Sequence, residues 1–142
     1  MKIRHDFVTN SSSSSYVIAY RTLPKFDEEK LAKYPFLENY GKLIEKVLFT
    51  EGDNDTDAGE VARTKEEYDK WFLSYYGWRK TTLEELLEDD RWLRDRYNKA
   101  IEYIEKGFNI LSKSVDYNDE YCSNMLRELA KDEENFVILE DE

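Results

Sequence analysis

Two short apolar blocks stand near opposite ends of this chain, Tyr16-Val17-Ile18-Ala19-Tyr20 and Phe136-Val137-Ile138-Leu139. Between them, most large apolar residues recur at helical spacing. Unbroken runs of aromatic and aliphatic residues suit strands, whereas three-and-four spacing suits helices with one buried face. A third stretch, residues 108–116, reads as β-like, with Phe108 and Ile110 on one side and Leu111 and Val115 at further apolar positions. The expected fold class is α+β: one helix-rich domain around a small sheet of three strands. The last two strands are separated by enough chain, including a helix, for a right-handed crossover. They are therefore expected to be parallel and adjacent, with the helices mainly on one face of the sheet.

The helical segments have readable ends. Residues 26–34 carry Leu31 and Tyr34 on one side and Asp27, Glu28 and Glu29 at the head, where negative charge suits a helix N-terminus. Pro35 breaks the pattern, and from Phe36 a second helix follows through Tyr40, Leu43, Ile44, Val47 and Leu48. Residues 51–62 read as a loop. Thr64 with Glu67 forms a capping box ahead of Tyr68, Trp71, Phe72 and Tyr75, and Gly77 closes that helix. Thr82 with Glu85 opens one unbroken helix over residues 83–105, because Leu86, Leu87, Leu93, Tyr97, Ala100, Ile101 and Ile104 keep one stripe and Gly107 supplies a stop. Asn118 caps a last helix through Ala130, with Cys122, Met125, Leu126 and Leu129 on its buried face.

Ahead of the first strand runs Ser11-Ser12-Ser13-Ser14-Ser15. Serine side chains bond to nearby backbone groups in competition with helix and sheet, so five in a row are expected to form a loop. Residues 1–15 are accordingly taken as a polar leader and residues 16–142 as the globular domain. The functional reading makes Thr9, Asn10, Ser11, Ser12, Ser13, Ser14 and Ser15 a recognition or modification tag, since phosphorylation adds charge that can order or dock a segment. Met1-Lys2-Ile3-Arg4, then Asp6-Phe7-Val8-Thr9-Asn10, the serines and Tyr16-Val17-Ile18 resemble the N-terminal signature of a group of small bacterial and phage proteins. The resemblance spans about the first twenty residues. It implies a bacterial or phage origin and brings no activity, cofactor or catalytic residue.

With 32 acidic against 21 basic side chains the formal charge is −11, a field that repels phosphate backbones and argues against direct nucleic-acid binding. Arg79-Lys80 is one basic patch; Arg91, Arg94 and Arg96 are interleaved with Asp89, Asp90 and Asp95 and read as a salt-bridged face. One cysteine excludes an intrachain disulfide, no apolar run approaches a membrane span, and no signal-peptide core precedes the serines. These features point to a soluble cytoplasmic protein.

Candidate chemistry is sparse. His5 is the only histidine, which rules out multi-histidine metal sites, and five glycines leave no phosphate loop or dinucleotide fingerprint. Asp53, Asp55, Asp57 and Gly59 approach a calcium loop but have Ala58 where glycine and Thr64 where a bidentate glutamate belong. Asp116, Asp119 and Glu120 can gather a cation or shape a turn, and turn formation with helix capping is the simpler role. No cofactor is expected. Trp71, Tyr75, Tyr76 and Trp78 are the candidate partner surface. The expected function is a non-enzymatic protein-binding or adaptor role with a serine-rich tag. An acidic nucleic-acid mimic that occupies a nucleic-acid-binding protein is one alternative, and an enzyme built on Asp116, Asp119, Glu120 and tyrosines is another.

Overall fold

The structure, a computed structural model, describes residues 13–22, 24–77 and 82–141. In chain order the elements are β1 (Ser13–Tyr20), α1 (Glu28–Lys33), a 3-10 turn (Pro35–Asn39), α2 (Tyr40–Leu48), β2 (Glu60–Ala62), α3 (Lys65–Tyr76), α4 (Leu83–Asp89), α5 (Arg91–Glu105), β3 (Asn109–Asp116), α6 (Glu120–Leu129) and β4 (Phe136–Asp141). The strands form one antiparallel sheet in the order β2-β3-β1-β4, and the fold is α+β.

β1 is apolar on both sides, so it takes an interior place. β3 pairs along its whole length, from Ser13 opposite Asp116 to Tyr20 opposite Asn109, and β4 pairs along its other edge from Tyr16 opposite Asp141 to Tyr20 opposite Phe136. The two later strands are therefore neither parallel nor adjacent, as the crossover reading expected. Both are antiparallel partners of β1, which lies between them. A register shift at Val17 and Ile18 leaves Leu139 as the extra residue of a bulge in β4. β2 is the fourth strand, three residues inside a stretch read as loop; Val61 is its only large apolar residue, too little for a period to register.

Helices cover both faces of the sheet, not one. Tyr16, Ile18, Tyr20, Leu111 and Val115 face Leu37, Ile44, Val47 and Leu48 of the 3-10 turn and α2, and Cys122, Leu126 and Leu129 of α6. Val17, Ala19, Ala62 and Ile110 face Tyr68, Phe72 and Tyr76 of α3 and Leu93, Tyr97 and Ala100 of α5. The alternation within one strand thus feeds two separate cores. Tyr97 donates to Asp69 and ties α5 to α3.

Three expected boundaries move. Residues 83–105 form two helices because the Asp90 carboxylate accepts from the Leu93 N–H and caps a new start. Glu88, Asp89 and Asp90 would oppose the dipole at the end of α4, whereas Asp90 before α5 matches it. The turn after Pro35 is 3-10 before α2 begins. Asp119, not Asn118, caps α6 by accepting from the Cys122 N–H at 3.1 Å. Among the described residues no helix is long and apolar enough to cross a membrane.

Candidate functional site

The strand begins at Ser13, so three of the five serines belong to the sheet and the leader ends earlier than residue 15. Their hydrogen-bonding alternative is overridden because β3 supplies a template for the backbone, Ser13, Ser14 and Ser15 pairing with Asp116, Val115 and Ser114. Alternation then sends Ser13 and Ser15 to the same face as Val17 and Ala19. Opposite them stand Asp116 and Ser114, while Ser112 lies between Val17 and Glu60 across the three strands. One face of the sheet is thus apolar at one end and hydroxyl-bearing at the other. α3 and α5 seat on the apolar end; over the hydroxyl end the small side chains leave an open cleft of about 590 Å³.

Ser15, Ser112 and Ser114 form the cleft floor, and α3 forms one wall. Its contributions, Glu67, Lys70, Trp71, Ser74 and Tyr75, follow the i, i+3, i+4, i+7, i+8 spacing of a single helical stripe. Trp71 and Tyr75 stack with ring centroids 5.1 Å apart and planes 14° apart. Glu60, an exposed residue of β2 paired with Ser112, closes the far rim. Glu67 accepts from the Arg63 N–H at 2.9 Å, and Asp57 accepts from the Ser114 N–H at 3.0 Å.

Two features singled out separately in the sequence, the serine run and the aromatic helix, therefore meet at one place. Ser15, Trp71 and Tyr75 line the cleft. Ser13 is buried in the same sheet face, and Ser14 points to the opposite face, where it lines a second, polar hollow with Tyr16, Ser123 and Arg127. Tyr76 is not a surface residue: it is 7% exposed and packs on Phe72, because position 76 falls on the core stripe of α3 with positions 68 and 72. Thr9, Asn10, Ser11, Ser12, Trp78 and His5 lie outside the described residues. Glu60, Ser112 and Ser114 were not anticipated, although Ser112 and Ser114 alternate with Leu111, Lys113 and Val115 at a strand period that puts them on the face opposite those three.

The rim is held from beneath by a strap, residues 50–57, that joins α2 to the β2 region. Buried groups from β3 and the start of α6 clamp it. The Lys113 ammonium, 1% exposed, donates to the carbonyls of Thr50 and Asp57. Asp116 accepts from the Asp55 N–H and Asp119 from the Asp53 N–H, while the Thr56 hydroxyl accepts from the Asp116 N–H. Gly52 is required where the strap passes Asp119, since a Cβ there would collide with that carboxylate. The acidic loop uses its backbone N–H groups to receive carboxylates rather than its own carboxylates to receive a cation. Among the described residues no group of three or more His, Cys, Asp or Glu side chains is placed to hold a metal ion.

Burial sets the charges around the strap. It lowers the pKa of Lys113, against smaller opposing contributions from Cys122, Asp57 and Asp119. Asp119 is held below its ordinary value: burial pushes it up, and the N–H groups of Cys122 and Asp53, the Thr56 hydroxyl and Lys113 outweigh that. Burial pushes the Cys122 thiol up to about 11, which keeps it protonated and unreactive near neutrality. No protein-family model, curated protein or solved structure matches the chain.

Proposed function

We propose that this is a non-enzymatic binding protein of the bacterial or phage cytoplasm whose partner is a protein, taken through an exposed basic segment laid in the cleft between the serine floor and α3. The observation that carries this reading is the convergence of Ser15, Ser112 and Ser114 with the stacked Trp71 and Tyr75 around one open hollow. Such a surface offers hydroxyl acceptors below, flat rings at the side and carboxylates at the rim, the composition of a peptide-recognition groove. Three carboxylates, Asp57, Glu60 and Glu67, line it against one cation, Lys70, and the net charge of −11 favours encounter with a basic partner.

Affinity capture with the full chain tests the reading. The strand start at Ser13 means that a leader deletion must stop at residue 12 to leave β1 whole. The expected result is a basic partner retained by the full chain, lost from Glu60→Lys and Tyr75→Ser variants, and weakened severalfold or more as salt rises from about 0.05 to about 0.5 M. A partner set unchanged by both variants overturns the cleft as the binding surface.

A further inference from the structure

We infer that the cleft selects arginine over lysine, receiving a guanidinium that lies flat against the Trp71–Tyr75 wall and donates to Glu60 and the serine hydroxyls; this rests on the proposed binding role of the same cleft. The chain displays the required chemistry on itself. Arg96 lies with its guanidinium carbon 3.6 Å from the Trp92 ring centroid and also pairs with Glu140. Arg21 lies 4.2 Å from the Phe108 ring. The lysines near rings sit farther off: Lys33 at 5.3 Å from Tyr34, Lys46 at 5.1 Å from Tyr121, Lys65 at 6.0 Å from Tyr97 and Lys106 at 5.2 Å from Tyr103. A guanidinium is planar and weakly hydrated and stacks face to face, while an ammonium keeps its water and stands away.

The cleft repeats the Trp92–Glu140 arrangement without its arginine. A stacked ring pair stands on the α3 wall beside the Glu67 carboxylate, Glu60 stands on the opposite rim, and the cation that lines the cleft, Lys70, makes no ion pair among the described residues. Five N–H donors on a guanidinium need several acceptors in one region, and the floor supplies hydroxyl oxygens from two adjacent strands. Lys70 is the group an incoming guanidinium must displace or repel.

Two peptides identical except for one central residue, acetyl-Gly-Gly-Arg-Gly-Gly-amide and its lysine counterpart, separate the possibilities when titrated into the full chain and followed through the Trp71 indole N–H and the Tyr75 ring resonances. A citrulline peptide serves as the uncharged control. The arginine peptide is expected to bind at least about fivefold more tightly than the lysine peptide, the difference a stacked and bidentate contact makes, and citrulline to bind weakest. Glu60→Gln, on an exposed rim position, is expected to lose that preference, and Lys70→Gln to tighten arginine binding by about two- to fivefold. Equal binding of arginine and lysine peptides overturns the arginine reading while leaving a basic-segment site in place. Absence of any shift at Trp71 or Tyr75 with either peptide overturns both.

Discussion

Lys113 is the one Lys or Arg side chain fully removed from water among the described residues, and it has no carboxylate within ion-pair distance there. Burying an ammonium is costly, and what offsets it is the pair of strap carbonyls, from Thr50 and Asp57, that accept from it. Lys113→Met keeps the stem and removes the donor. It should cost about 1 kcal/mol, the usual net loss of a hydrogen bond whose acceptors lie on exposed residues, and should raise amide exchange at Asp53, Asp55 and Thr56 more than in the helices. Chemical denaturation with residue-resolved exchange checks both. Lysine is normally placed on a solvated face when a sequence is read, and only the strand period shared with Leu111 and Val115 hints otherwise. The same limit applies to the serines. Their composition says loop, while their pairing with residues 114–116, about a hundred positions away, makes them strand.

At the level of elements, helices were legible because their evidence is local. Thr64 accepts from the Glu67 N–H at 3.1 Å and Thr82 from the Glu85 N–H at 3.2 Å, as their capping-box spacing implied. The break between α4 and α5 escaped because the apolar stripe runs on through it, and one carboxylate decides the matter. Asp90→Ala should lower stability by about 1 kcal/mol, and Asp90→Asn, which can still cap, should recover most of it; thermal unfolding of the two variants measures the difference. Strand order was not legible for the opposite reason. Which edge of β1 each later strand joins is settled by packing across the sheet, information that no short window of sequence contains. The cleft followed the same rule: its helical wall could be drawn from α3 alone, but its floor required knowing that β1, β3 and β2 lie side by side.

For the molecule as a whole, the ring-rich double core fixes the response to alkali. Burial is the leading cause that raises the phenol pKa of Tyr16, Tyr20, Tyr40, Tyr68 and Tyr97, and the Cys122 thiol is raised to about 11 for the same reason. An acid whose folded pKa lies above its unfolded value holds its proton longer when folded. The stability it contributes is complete below the unfolded value and is lost as pH climbs through the folded one. Lys113 acts in the other direction, because its lowered pKa makes its cost fade as pH rises toward the ordinary lysine value. Lys30, where burial is outweighed by Asp132 and Glu134, and Lys65, raised first by Asp69, add to the six acids, so eight groups oppose one and the melting temperature should fall from about pH 9 upward. Phenolate absorbance should then rise together with loss of helical circular dichroism. A smooth tyrosine titration with unchanged ellipticity would contradict the buried placement of these rings.

The central position of β1 carries a further consequence for synthesis. Its neighbours on either side are β3 and β4, so this strand, translated well ahead of both, must wait for segments beyond residue 108 to leave the ribosome before either edge is covered. Until then Tyr16, Val17 and Ile18 remain a sticky ribbon on a nascent chain. The hydroxyl-rich approach to that ribbon gives the waiting strand a hydrated flank, a modest safeguard against premature association in a crowded cell.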